Sequence, residues 1–391
     1  MKNKRFIIFA LLWAFAGLQS CQKDSIGHTT TCNYTPAAHP KAQVYQALLD
    51  EYTAKGLPGI SALIRDSNGV WAGASGKADI GQDIDMSPCI VSKAASVTKT
   101  FIGTLTLKLV EEGKLGLDDP LTKWLPEEVL DRVKNTNSCT IRQLMNHTTG
   151  IADIIDDSEF YLSVLNYPNK NHTPEQLIRY VYDDEPEFAP GTSVAYSNTN
   201  FLLLVMAIEK ATGENHARLL RAKVLEPIGL AHSYYFWHDP LPENTAQGYF
   251  DLYNNGTIIN VTNYNTGSGN GYGGLYADVF DLQAFAEALL RNKTVLQPAS
   301  LQKMLTFIPL PGDSVKEHGL AIYRDFVNRG PNEYAYGHRG RDLGYTADMY
   351  WFPQKDYTLV YLINYGTDAK SKLRQVFYDF REEIVDVIMN D

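Results

Sequence analysis

Cysteine is scarce: four in 391 residues, with no C-x-x-C pair. That spacing excludes a zinc cluster, and so small a set excludes a disulfide scaffold. Lysine and arginine never gather into a basic run, and the formal charge is −10. A tight nucleic-acid face is therefore not expected. No phosphate-binding P-loop and no H-E-x-x-H occur. Gly269-Asn270-Gly271-Tyr272-Gly273-Gly274 fits G-x-G-x-x-G, but it has no βαβ setting and no acidic residue at the expected distance, so dinucleotide binding is not expected. Apolar runs long enough to span a bilayer are missing as well.

The one notable apolar run lies at the amino terminus. Lys2, Lys4 and Arg5 precede an uncharged stretch, Phe6 to Leu18, which has the form of a secretory signal. It ends at Leu18-Gln19-Ser20-Cys21, which resembles a bacterial lipobox. The resemblance implies a signal peptide over residues 1–20, lipidation of Cys21 and membrane attachment through the acyl chains. Gln22 after the cysteine implies sorting to the outer membrane. Loss of three positive charges would leave the mature chain near −13. Cys32, Cys89 and Cys139 then remain; one bridge is possible, with Cys89–Cys139 a candidate pairing. Residues 21–40 are polar and read as a tether.

What is present is a globular body, 44% hydrophobic and 12% aromatic, beginning near residue 41. Val44, Tyr45, Leu48, Leu49 and Tyr52 mark an amphipathic helix. Gly59 to Arg65 and Val70 to Lys77 read as strands joined by an Asn68-Gly69 turn. Residues 115–306 are mainly helical. Thr140…Gln143 and Thr173…Gln176 look like capping boxes, and an Asn-, Gly- and Tyr-rich stretch from Leu241 to Gly274 suits a pocket wall. Strand character returns from His318 to Asn364, before a closing helix with Leu373, Val376, Phe377, Phe380, Ile384 and Val387 on one face. The expected architecture is α/β (α+β): an antiparallel sheet built from both chain ends, covered by helices, with an inserted helical lobe and a cleft between them.

Chemistry is concentrated in three short stretches. Ser96-Val97-Thr98-Lys99 precedes a helical pattern that Gly113 ends, so serine and lysine share one helix face near its positive end. A serine hydroxyl needs a neighbour to take its proton. Tyr196-Ser197-Asn198 sits between Pro190-Gly191 and an apolar helix; a phenol beside an ammonium has its pKa lowered and could accept that proton. His338-Arg339-Gly340 ends a strand, where glycine lets a substrate backbone approach. An unperturbed His338 would titrate near 6.5.

In this order the stretches resemble the serine acyl-transferase superfamily of class C β-lactamases, DD-peptidases and related esterases. Leu115-Gly116-Leu117-Asp118-Asp119-Pro120, Ile141 to Gly150, Glu226 to Leu230 and Gly273-Gly274-Leu275 extend the resemblance over most of Leu57 to Phe352. It implies a hydrolase domain over residues 41–391, a nucleophile at Ser96, proton transfer by Lys99 and Tyr196 with the base left open, and substrate contact through Asn198, His338 and Gly340. The oxyanion donors would be the backbone amides of Ser96 and Arg341. No metal or cofactor is implied. His147 would belong to a structural loop. The chain departs from the family at Lys-Thr-Gly, where it carries His338 and Arg339; Arg339, Arg341 or Arg324 could then clamp a substrate carboxylate. D-alanyl peptides are the first expectation for substrate, with esters, β-lactams or slow acylation of a sensor as alternatives. A fluorescent penicillin should label the wild type and not Ser96→Ala; labelling that survives the substitution would remove Ser96 as nucleophile.

Overall fold

The computed structural model describes residues 38–243, 245–267 and 269–390, together with Cys32 and Tyr34. The expected signal peptide and Cys21 lie outside the described residues. Fourteen strands are present among them: β1 (Gly59–Asp66), β2 (Gly69–Asp79), β3 (Ile84–Asp85), β4 (Ser92–Ala95), β5 (Tyr234–Tyr235), β6 (Tyr249–Phe250), β7 (Ile259–Asn260), β8 (Leu275–Ala277), β9 (Ile308–Pro309), β10 (Glu317–His318), β11 (Tyr323–Asp325), β12 (Ala335–Asp342), β13 (Tyr345–Phe352) and β14 (Tyr357–Ile363). Nine form one sheet in the order β3-β2-β1-β14-β13-β12-β11-β10-β9. β1 pairs antiparallel with β14, Ile60 opposite Ile363, which joins the two ends of the chain as the sequence pattern implied.

The β1–β2 hairpin turns where Asn68-Gly69 predicts it. Gly69 sits at φ +125°, and Asp66 Oδ1 accepts the Asn68 amide at 2.7 Å, an Asx turn of the kind these residues favour. Strand alternation splits the core in two. Ile60, Ala62 and Ile64 face the terminal helices Ala42–Ala54 and Lys372–Met389 with Tyr350, Tyr361, Phe377 and Phe380. Leu63, Ala347, Met349 and Leu362 face the inserted lobe. Both capping boxes form, at Thr140 and at Thr173.

At the centre of the lobe core lies the helix Thr98–Glu111, buried nearly all round. Its threonines are tolerated there because each hydroxyl finds a carbonyl: Thr100 bonds Ala321 O, Thr104 bonds Thr100 O and Thr106 bonds Ile102 O, all at 2.8 Å. An unpaired hydroxyl in this position would carry its full desolvation cost.

The cysteine pairing differs from the candidate. Cys32 is bonded to Cys89, and Cys139 is free and buried. Sequence offered no way to choose, because proximity of Cys32 to Cys89 depends on how the leading segment packs. Tyr34 is tied to the body: its hydroxyl accepts the Ala72 amide at 3.0 Å and its ring lies 5.1 Å from Phe280. His39 meets Asp66 at 3.1 Å. The last part of the expected tether is thus attached to the body. Burial pushes the Cys139 thiol up to about 12. In the unreduced, folded protein Cys139 should resist alkylation, and Cys32 and Cys89 should react only after reduction. Cys89→Ser should lower unfolding stability by up to about 4 kcal/mol, the loop-closure value for so long a loop; an unchanged melting temperature would show that the bridge does not constrain the chain.

Candidate active site

Lys99 is the centre of the site and is fully buried. Its Nζ lies 3.1 Å from Ser96 Oγ, 2.7 Å from Asn198 Oδ1 and 2.7 Å from the Tyr272 carbonyl. Three distant parts of the chain therefore meet on one nitrogen. Ser96 follows Ala95, whose φ of +48° turns β4 sharply into the helix Thr98–Glu111. Asn198 is the cap residue of the helix Thr199–Thr212. Tyr272 comes from the glycine-rich stretch. Gly271, at φ +93°, allows its close approach: a Cβ there would stand 2.6 Å from the Phe201 carbonyl. The residues that mimic a dinucleotide loop are thus a packing device that presents a carbonyl to Lys99.

Burial sets the electrostatics. It drives the Lys99 ammonium well below the usual lysine range, against the opposing charges of Asp153 and Asp342. Asp153 is itself raised by burial, and its Oδ2 accepts from Asn198 Nδ2 at 2.9 Å, which fixes the amide with its oxygen toward Lys99. A neutral amine has two N–H donors, and two carbonyl acceptors are in place for them. The lone pair then faces the Ser96 hydroxyl.

Tyr196 lies beside Ser96, and Lys99 Nζ stands 4.7 Å from its ring centroid. The expected lowering of its pKa does not occur. Tyr196 keeps some exposure to the cleft, but desolvation raises its phenol well above 10, and a lysine whose own charge is suppressed supplies little to offset it. His147 stacks on Tyr196 with centroids 4.5 Å apart and accepts the Ser197 amide at Nδ1, 3.2 Å away. It is held neutral by burial, and it positions the tyrosine turn.

The third stretch lies across the cleft. His338 is buried, its ring 6.4 Å from that of Tyr196 and stacked on Tyr323 at 4.3 Å. Burial drives it well below 6.5, so it is neutral where the sequence alone suggested a titrating group. Its Nδ1 donates to the Arg339 carbonyl at 2.7 Å, which leaves Nε2 as an acceptor. Gly340 packs on β4, where a Cβ would fall 2.2 Å from the Ala94 carbonyl.

The arginines go elsewhere. His338, Gly340 and Asp342 share one face of β12, and Arg339 and Arg341 share the other. Arg341 Nη1 pairs with Asp348 at 2.7 Å and Arg339 Nε lies 3.4 Å from Asp325, on the side of the closing helix, where Arg381 bonds both carboxylates at 2.9 Å. Arg324 pairs with Glu317. The side-chain carboxylate clamp expected from them does not form, because strand alternation and pairing with Asp325, Asp348 and Glu317 claim the guanidiniums. The site also contains three groups that sequence motifs did not single out for it: Asp153, His147 and the Tyr272 carbonyl. Asp153 could have been suspected as an acidic residue directly after the Ile141–Gly150 block; a backbone carbonyl leaves no sequence trace.

The Beta-lactamase family model matches residues 45–379. The protein flp of Staphylococcus aureus strain MRSA252 is 27% identical over 225 residues, 57% of this chain, and the chain spans only 44% of that protein. The D-alanyl-D-alanine-carboxypeptidase/endopeptidase AmpH of Escherichia coli K12 is 24% identical over 271 residues, 69% of this chain and 67% of AmpH. Among solved structures, a D-stereospecific amidohydrolase from Streptomyces sp. is 30% identical, covers 83% of this chain and 94% of its own, and superposes with a TM-score of 0.75. The D-amino acid amidase of Ochrobactrum anthropi SV3 shares the fold at 24% identity, over 89% of this chain and 98% of its own, with a TM-score of 0.78. With its Ser96–Lys99–Tyr196 cluster set between sheet and lobe, this chain belongs to the Beta-lactamase family of serine hydrolases.

Proposed function

We propose that this protein is a D-stereospecific amide hydrolase working through an acyl-enzyme at Ser96, and that it is held in a bacterial envelope by lipid on Cys21. The observation that carries the chemistry is the Lys99 amine, 3.1 Å from Ser96 Oγ, with both its N–H groups engaged by carbonyls. Ser96 attacks the substrate carbonyl and its proton passes to Lys99. Tyr196, still a phenol at neutral pH, gives its proton to the leaving nitrogen and takes back the one on Lys99. The Ser96 and Arg341 backbone amides would hold the oxyanion, each worth about 3–4 kcal/mol in the transition state. Water then releases the acyl group by the reverse relay. D-specificity rests on likeness to the Streptomyces amidohydrolase.

The leaving-group end favours an uncharged partner. A neutral His338 with Nε2 as acceptor suits an amide N–H better than a carboxylate, and Arg339 and Arg341 face away. One observation favours a second reading, a D-alanyl carboxypeptidase: Lys316 lies 5.4 Å from the Tyr323 ring centroid, held by Asp313 at 3.4 Å, and could turn to a terminal carboxylate.

Two measurements test this. A D-Ala-D-Ala peptide with its C-terminus amidated should be cleaved at least as fast as the free acid. A marked preference for the free acid that disappears in Lys316→Met would establish the carboxypeptidase instead; no cleavage of either, with an ester turned over, would favour an esterase. Lys99 should also titrate far below the usual lysine value of about 10.4, as seen by NMR of a methylated or isotopically labelled lysine. Activity should rise with pH as the ammonium is lost. Asp153 raises this pKa, so Asp153→Asn should move the rising limb to lower pH. His338→Asn should leave the limb where it is. A limb that moves with His338 and not with Asp153 would overturn the assignment of Lys99 as base.

A further inference from the structure

A second group of reactive side chains lies apart from the Ser96 cluster, where the loop before β5 meets the start of the helix Val279–Ala286. His232, Asp278 and Asp281 each bring one ligand atom there, and the three atoms lie within 4.8 Å of one another. Asp278 is the cap residue of the helix, its Oδ1 accepting the Asp281 amide at 2.9 Å. Its Oδ2 is 2.7 Å from His232 Nδ1. Asp281 Oδ2 accepts the His232 amide and the Ser233 hydroxyl, both at 2.8 Å. Asp281 Oδ1 makes no hydrogen bond among the described residues, although the residue is only 8% exposed.

The charge here does not balance. Asp278 is fully buried, and no lysine or arginine pairs with either carboxylate among the described residues. Arg221 reaches the Ser233 carbonyl at 3.4 Å, yet it gives its ion pair to Asp239. Asp325 and Asp348 are the contrast within this chain: those two buried carboxylates share Arg381 and also have Arg339 and Arg341. A helix start offsets about half a charge. His232, its side chain 60% exposed, adds a charge only when protonated. Burial and the charge of Asp278 push Asp281 up to about 6, as expected of like charges that lack a cation.

One imidazole nitrogen and two carboxylate oxygens make a donor set for zinc, which holds such ligands at about 2.0–2.2 Å and therefore about 3.3 Å apart. Asp278 Oδ2 and His232 Nδ1 are closer than that because a hydrogen bond joins them. The exposed imidazole can swing outward as an ion replaces that proton. We propose that His232, Asp278 and Asp281 bind one zinc-like divalent ion, with its remaining positions open to solvent on the His232 side. The ion ties the loop before β5 to the helix Val279–Ala286. Both support the segment that carries Ser96. Tyr235 of β5 pairs with Leu275 of β8, which pairs with Ala95, and Phe285 of the helix stacks on Phe101 at 3.6 Å. The role is structural and does not depend on the reaction proposed for Ser96.

Calorimetric titration of the tag-free full chain, stripped with EDTA and desalted, tests the site. Zn²⁺ should bind once per chain and raise the melting temperature by roughly 2 °C or more. Mg²⁺ and Ca²⁺ in large excess should not compete, because imidazole suits zinc better than either. His232→Gln, at an exposed position, and Asp281→Asn, which keeps an acceptor for Ser233, should each weaken Zn²⁺ binding by about tenfold or more. Without zinc, Asp281→Asn should melt no lower than the wild type, since it removes an unmatched charge. Equal Zn²⁺ binding by the wild type and His232→Gln would mean an adventitious ion only and overturn the site. So would the absence of binding to the wild type, or displacement of Zn²⁺ by Ca²⁺. If Asp281→Asn does not fold, His232→Gln alone decides.

Discussion

Burial of one lysine is the constraint on which the rest of this molecule depends. Lys99 has no exposure, and a charge there is expensive unless it is matched or given up. The fold answers with two carbonyl acceptors from separate segments and two carboxylates at a distance, Asp153, acting through Asn198, and Asp342. The result is a nitrogen whose proton is loosely held and whose free direction points at Ser96. The catalytic potential of the cluster is therefore a consequence of packing. The helix Thr98–Glu111 must sit in the middle of the lobe core, and the glycine-rich loop must approach the helix Thr199–Thr212 closely enough to place the Tyr272 carbonyl.

β12 distributes its side chains by simple alternation, and this shapes the specificity of the cleft. His338, Gly340 and Asp342 line the site. Arg339 and Arg341 enter a buried network with Asp325, Asp348 and Arg381 beneath the closing helix. Removing one partner of such a network typically costs about 3–5 kcal/mol, so those arginines are not free to turn toward a ligand. Strand periodicity alone could have revealed this: a residue between His338 and Gly340 must point to the opposite face from both. Reading Arg339 as a clamp took sequence adjacency for spatial adjacency.

Much else was legible. The periodicities of the first and last helices, the Asn68-Gly69 hairpin, the capping boxes at Thr140 and Thr173 and the return of β character after residue 318 all locate real elements, because each rests on local chemistry that packing does not override. The pairing of the chain ends in one sheet followed from the order of strand and helix patterns. Boundaries moved by a few residues at several elements; β12 runs on to Asp342, past the triplet expected to end its strand, because its pairing with β13 continues through Asp342.

Residue order pointed to the candidate nucleophile and its neighbours: Ser96, Lys99, Tyr196, Asn198 and His338 lie together in the fold. It also determined the family, since motifs in a fixed order over most of the chain are not met by chance. Tertiary structure decided what those groups are. Burial is a property of the assembled core, so only the fold could loosen the proton on Lys99, keep Tyr196 a phenol and His338 neutral, and send the arginines to the far face. It likewise decided the cysteine pairing, because which thiols meet depends on where the leading segment lies against the body.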